Sequence, residues 1–168
     1  VRSKAWMDLF ADYYAEFGID LATASAGPAR MPFNQEMADL VCEYKPAVVS
    51  FHFGLPQPEL LQIVKDAGAL VLSSATTVAE ARWLEAHGAD VIIAQGLEAG
   101  GHRGHFLSTD VTRQAGTFSL LPTIIKAVKL PVIAAGGISN AITAQAAFDL
   151  GASAIQVGTA LLLADESD

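Results

Sequence analysis

The chain has 168 residues, 52% of them hydrophobic and 17% charged, with a formal net charge of −8. This balance excludes a disordered acidic tail, and no apolar run reaches the ~18 to 20 residues a bilayer helix needs. An acidic surface repels phosphate backbones, so general nucleic-acid binding is not expected, whereas a local anion site made of backbone N–H groups stays open.

From the amino terminus, Lys4 to Phe17 reads as an amphipathic helix with Trp6, Leu9, Phe10 and Tyr13 on one stripe, expected to pack into the core. Ile19 to Ala22 reads as a short strand, and Pro28 and Pro32 mark a loop. Asn34 is placed to cap a helix to Glu43. The one cysteine, Cys42, lies in that helix and is expected to be a small buried apolar residue. Alone it excludes an internal disulfide framework and a cysteine-based metal site. The sequence starts at Val1 without a signal-peptide pattern, which points to the cytoplasm.

From Val48 onward a strand–helix unit repeats. Val48 to Phe53 is a strand, and Pro58 opens a helix that stops near Gly68. Leu70 to Ser74 is the next strand; Thr77 to Glu80 has the pattern of a capping box for a helix to Gly88. Val91 to Gln95 is the third strand, followed by a polar, glycine-rich stretch from Gly96 to about Gly116. A helix near Leu120 to Lys129 leads into the strand Val132 to Ala135. Ser139 caps a helix that stops at Gly151, Ala154 to Val157 is the fifth strand, and Thr159 opens a last helix.

The equivalent positions Val48, Leu70, Val91, Val132 and Ala154 are spaced 22, 21, 41 and 22 residues apart. Short apolar runs at one period predict buried parallel strands in repeated βα units, an α/β fold of the (β/α)8 barrel type. A whole barrel is typically ~250 residues, so a partial barrel of about five units is expected, as one domain in which residues 1–46 lead into the repeats at 47–168. The extra length sits after the third strand, on the face where barrel enzymes carry their chemistry.

Several residues on that face invite chemistry. Ala135-Gly136-Gly137-Ile138-Ser139 and Gln156-Val157-Gly158-Thr159 each join a strand to a helix through glycine. Two consecutive turns of this kind predict a phosphate clamp made of backbone N–H groups, since neither contains a basic residue. Strand alternation sets Val48, Ser50 and His52 on one face and Val49, Phe51 and Phe53 on the other. His52 then points into the barrel near a strand end, either as a proton acceptor or as a hydrogen-bonded core histidine. Gln95 ends its strand with an amide suited either to the edge of a flat heterocycle or to loop backbone. Gly100-Gly101-His102-Arg103-Gly104-His105 holds two imidazoles among glycines, without the spacing of a metal site.

Ser50 to Pro56, Ala94 to Gly104 with its Glu-Ala-Gly-Gly-His-Arg-Gly core, Ala134 to Ile138 and Gln156 to Ala160 together resemble the nitronate monooxygenase family, formerly 2-nitropropane dioxygenase, and its class I most closely. The resemblance covers roughly Lys45 to Ser167. It implies an FMN-dependent barrel that oxidises alkyl nitronates of the propionate 3-nitronate type with O2. Gln95, Gly100, Gly137, Gln156, Val157, Gly158 and Thr159 match the family's FMN positions, and His52 and His102 match its active-site histidines. It implies His52 as the base for neutral nitroalkanes, and His102 as a partner of the anionic nitro group. In the family's register the five strands correspond to strands four to eight, so a fragment is expected, with weak or no FMN retention by this chain alone. The alternatives are a related FMN barrel reductase, acting on enoyl-carrier-protein or quinone with NAD(P)H, and a catalytically incomplete barrel.

Overall fold

The computed structural model describes residues 2–20 and 31–167, in two compact units, Val1–Pro32 and Phe33–Asp168. The first holds α1 (Arg2–Leu9) and α2 (Ala11–Glu16). Here the expected core stripe fails. Trp6 is 61% exposed, and Leu9 and Tyr13 are also exposed. The helix breaks at Phe10, and Trp6 stacks on Phe10 instead, with ring centroids 6.0 Å apart. An aromatic stripe at helical spacing records an apolar face, not what covers it. Ile19 and Asp20 are not in a strand; the rest of that segment, with Pro28, lies outside the described residues.

The second unit is a half-barrel of five parallel strands in the order β1-β2-β3-β4-β5. They are β1 (Val48–Phe51), β2 (Leu70–Ala75), β3 (Val91–Gln95), β4 (Val132–Ala135) and β5 (Ala154–Gln156). Between them run α4 (Pro58–Asp66), α5 (Val78–Ala86), α6 (Thr117–Ala127) and α7 (Ala141–Asp149), and α3 (Gln35–Tyr44) precedes β1. Each crossover returns the chain to the neighbouring strand, as expected of short, unthreaded βα connections.

Register divides the sheet into two faces. Val71, Ile92, Ala94 and Ala134 point to the helices and are fully buried; Ile92, Ala94 and Ala134 pack with Leu84, Leu121 and Ile124, and Val71 belongs to a second cluster. A smaller cluster joins Phe51, Leu61 and Val64, against which Phe33 and Val41 pack from the α3 side. The opposite face carries Val48, Ser50, Leu70, Ile93 and Gln156, and much of it is open.

Local details correct three expectations. Cys42 is exposed: α3 packs through Ala38 and Val41, and Cys42 lies at the edge of that face. Asn140, not Ser139, caps α7. Its Oδ1 accepts the Thr143 N–H at 3.0 Å while Thr143 Oγ1 accepts the Asn140 N–H at 3.2 Å, a reciprocal box Ser139 cannot make one residue earlier. After β5 the chain forms only a 3₁₀ turn, Thr159–Leu161, not a helix. The Asn34 cap forms as expected, accepting the Met37 N–H at 3.0 Å.

Candidate functional site

The carboxyl ends of the strands open onto a cavity of about 560 Å³. His52, Gln95, Gly100, Gly137, Gln156, Gly158 and Thr159 all line it, so residues up to 107 positions apart in sequence share one wall. His102 and Val157 do not line it. The His102 ring stands edge-on to Phe53, centroids 6.0 Å apart, and Val157 packs against the main core.

His52 is the first residue beyond β1. Its Nδ1 lies 2.7 Å from Ser74 Oγ, on the neighbouring strand. Phe53 follows with φ of 65° and Gly54 with φ of 94°. A left-handed phenylalanine is costly, and such strain collects where a turn must hold a neighbouring side chain in place. The buried Ser73 hydroxyl donates to the Gly54 carbonyl at 3.0 Å and fixes that turn. Ser74 escaped the sequence reading. The signal was two serines in an otherwise apolar strand, one on each face.

The two glycine turns differ in detail. Gly136 and Gly137 have φ of 117° and 67°, conformations that side chains resist, and a Cβ on Gly136 would come within 2.8 Å of the Ala99 nitrogen. Gly158 has ordinary negative φ, and a Cβ there would meet nothing within 4 Å. Its lack of a side chain leaves space on the cavity wall. Among the described residues, the N–H groups of Gly137, Ile138 and Gly158 donate no hydrogen bond. Unpaired donors beside cleared space fit an oxyanion group such as the phosphate of FMN.

The long β3–α6 connection is tied down by side chains. Gln95 spends both ends of its amide on it: Nε2 donates to the His102 carbonyl at 3.0 Å, and Oε1 accepts the Gly104 N–H at 2.6 Å. That is the loop-binding alternative, reached from a position that still lines the cavity. Glu98 accepts the Thr117 N–H at 2.8 Å and its hydroxyl at 3.0 Å, capping α6 from the loop. Burial pushes the Glu98 carboxyl up, but the Thr117 N–H, its own N–H, the Thr117 hydroxyl and the Arg103 guanidinium outweigh it. They hold the carboxyl below the usual range. Arg103 also donates to the Gly96 carbonyl at 3.2 Å. Among the described residues no three His, Cys, Asp or Glu side chains converge on a metal position, and no helix is long and apolar enough to cross a membrane.

Comparison with known proteins agrees with this geometry. The profile of the family described as Nitronate monooxygenase matches residues 1–168. Nitronate monooxygenase from Pseudomonas aeruginosa is 40% identical over 173 residues, covering 99% of this chain and 48% of that protein. Nitroalkane oxidase from Streptomyces ansochromogenes superposes with a TM-score of 0.88 at 38% identity, over 98% of this chain and 47% of that one. FabK from Thermotoga maritima gives 0.68 at 36% identity, over 82% of this chain and 41% of that one. The chain thus spans about half the length of these relatives. With its half-barrel, its cavity and a family match over its whole length, it belongs to the nitronate monooxygenase family of flavin-dependent oxidoreductases.

Proposed function

We propose that this chain supplies the FMN-binding and proton-handling residues of an enzyme that oxidises alkyl nitronates, of the propionate 3-nitronate type, with O2. The observation that carries the reading is one cavity whose wall holds His52 together with the unpaired N–H groups of the two glycine turns. Gly137 and Gly158 would hold the FMN phosphate, with Gln95, Gly100, Gln156 and Thr159 along the rest of the flavin and Val157 contributing backbone. When bound, FMN supplies the redox chemistry between nitronate and oxygen.

The protein's own part is binding, orientation and proton transfer. To act as a base, His52 must carry its proton on Nδ1 and donate it to Ser74 Oγ, which leaves the Nε2 lone pair for the α-proton of a neutral nitroalkane. A nitronate has already lost that proton and needs only to be held. His102, which the family resemblance assigns to the anionic nitro group, stands against Phe53 outside the cavity lining. Glu98 also lines the cavity, and the Thr117 N–H and hydroxyl that its carboxylate accepts partly offset its repulsion of an anion.

The test is oxygen consumption by the purified protein supplied with FMN. Uptake that depends on added propionate 3-nitronate supports the assignment. Rapid flavin reduction by NADH or NADPH with no nitronate-dependent uptake would instead establish a flavin reductase on the same cavity.

A further inference from the structure

Glu80 is a glutamate with 1% of its surface exposed, in the first turn of α5. The capping-box pattern assigns its carboxylate to the N–H of Thr77. Only half of that box forms: Thr77 Oγ1 accepts the Glu80 N–H at 3.2 Å, while the Glu80 carboxylate goes elsewhere. One oxygen, Oε2, accepts the Thr76 N–H at 2.7 Å and the Thr76 hydroxyl at 2.8 Å. The other, Oε1, accepts the N–H of Phe106 at 2.8 Å and of Leu107 at 3.3 Å. A buried acceptor with four donors thus bridges the end of β2 to the middle of the long loop, 26 residues away.

The loop needs such a bridge. Beyond His105 much of it borders a cavity of about 370 Å³. Two of its buried polar atoms, His105 Nδ1 and Gln114 Nε2, have no hydrogen-bond partner among the described residues. Phe106, by contrast, is held on three sides. Its N–H binds Glu80, its ring meets Trp83 edge-on at 5.2 Å, and it covers Gly54, where a Cβ would come within 3.3 Å of the ring. Gly54 belongs to the turn that follows His52, and Phe53 of that turn touches His102. One contact chain therefore runs from Glu80 through Phe106 to both histidines.

We propose that Glu80 is the positioning residue of this site: it anchors Phe106, and Phe106 sets the His52 turn and the His102 loop against each other. The proposal rests on the functional reading of the two histidines given above. Its electrostatics are sound, because an acceptor in the first turn of α5 also faces the positive end of that helix. Glutamine cannot replace it. Whichever way the amide is turned, its NH2 faces donors, either those of Thr76 or those of Phe106 and Leu107.

The test compares the native protein with Glu80→Gln by amide exchange and by kinetics. The N–H groups of Phe106 and Leu107 should exchange about tenfold faster or more in the variant, while β2 and α5 keep their protection. With FMN content unchanged, kcat for nitronate oxidation should fall about tenfold to a hundredfold while KM moves little, as expected when reacting groups lose alignment. Phe106→Leu, which keeps the N–H to Glu80 and removes the ring from Gly54, covers the case in which Glu80→Gln does not fold. It should lower kcat several-fold with the Phe106 amide still protected. Unchanged exchange in Glu80→Gln, acceleration spread equally over β2 and α5, or an unchanged kcat in both variants overturns the proposal. If the native protein consumes no oxygen with nitronate, it is the functional reading that falls, and exchange at the two amides alone decides the anchoring.

Discussion

The two faces of the sheet are built from the same strands and do opposite work. On the helix side, Val71, Ile92, Ala94 and Ala134 are fully buried and nothing polar is presented except Ser73, which is bonded to a turn. On the other side Val48 and Leu70 are 46% and 53% exposed, and Ser50 and Gln156 are open as well. A parallel sheet is normally covered on both faces. Here most hydrophobic burial lies on the helix side, although Ile93 is buried on the other, and the candidate chemistry gathers at one end of that second face. Substitutions on the helix face should therefore change stability, and those on the open face should change binding and rate.

The largest effect expected from this division is His52→Asn. General base catalysis contributes about 10² to 10⁴-fold, so activity on neutral nitroalkanes should fall by that factor. Activity on preformed nitronates should fall far less, and stability should stay within about 0.5 kcal/mol because His52 is exposed. Steady-state oxygen uptake with both substrate forms checks it; equal losses would remove the base assignment.

Next comes Ile92→Ala on the helix face. Deleting a fully buried side chain from the main cluster should cost about 2 to 5 kcal/mol. Leu70→Ala, on the open face, should cost less than about 1 kcal/mol. Urea denaturation of the two variants measures the contrast, and similar midpoints would mean that the open face is covered in solution.

The smallest effect concerns Glu98. Its carboxyl is held below the usual range in the folded protein, so the unfolded chain binds this proton more tightly. The stabilisation is complete above the ordinary glutamate pKa of about 4.3 and is lost as pH falls through the lowered value. Since the side chain is exposed to solvent, Glu98→Gln should cost less than about 1 kcal/mol at neutral pH. The difference from wild type should vanish in acid, and a growing difference would refute the sign.

The same division explains what was legible in the sequence. All five strands stand within two residues of their expected ends, because buried parallel strands announce themselves as apolar runs set off by glycine. The glycine turns and His52 were legible too, since strand alternation and turn chemistry are local. What was not legible depends on distant partners. Glu80 matches a local capping pattern, yet its carboxylate is used by a loop 26 residues away. Gln95 turns its amide to the backbone of His102 and Gly104, which no periodicity reveals. Trp6 and Tyr13 have the spacing of a core stripe, but spacing does not supply the surface that would bury them.

The central claim is that the open face ends in a phosphate-binding cavity, and FMN titration of wild type and Gly158→Val tests it most directly. A side chain at Gly158 would enter space that is now empty, since its Cβ would meet nothing within 4 Å. Followed by flavin fluorescence, wild type should show saturable binding, weak because the sheet face is uncovered. Gly158→Val should show none while unfolding at the same urea concentration. Equal FMN binding by the two proteins would contradict the account.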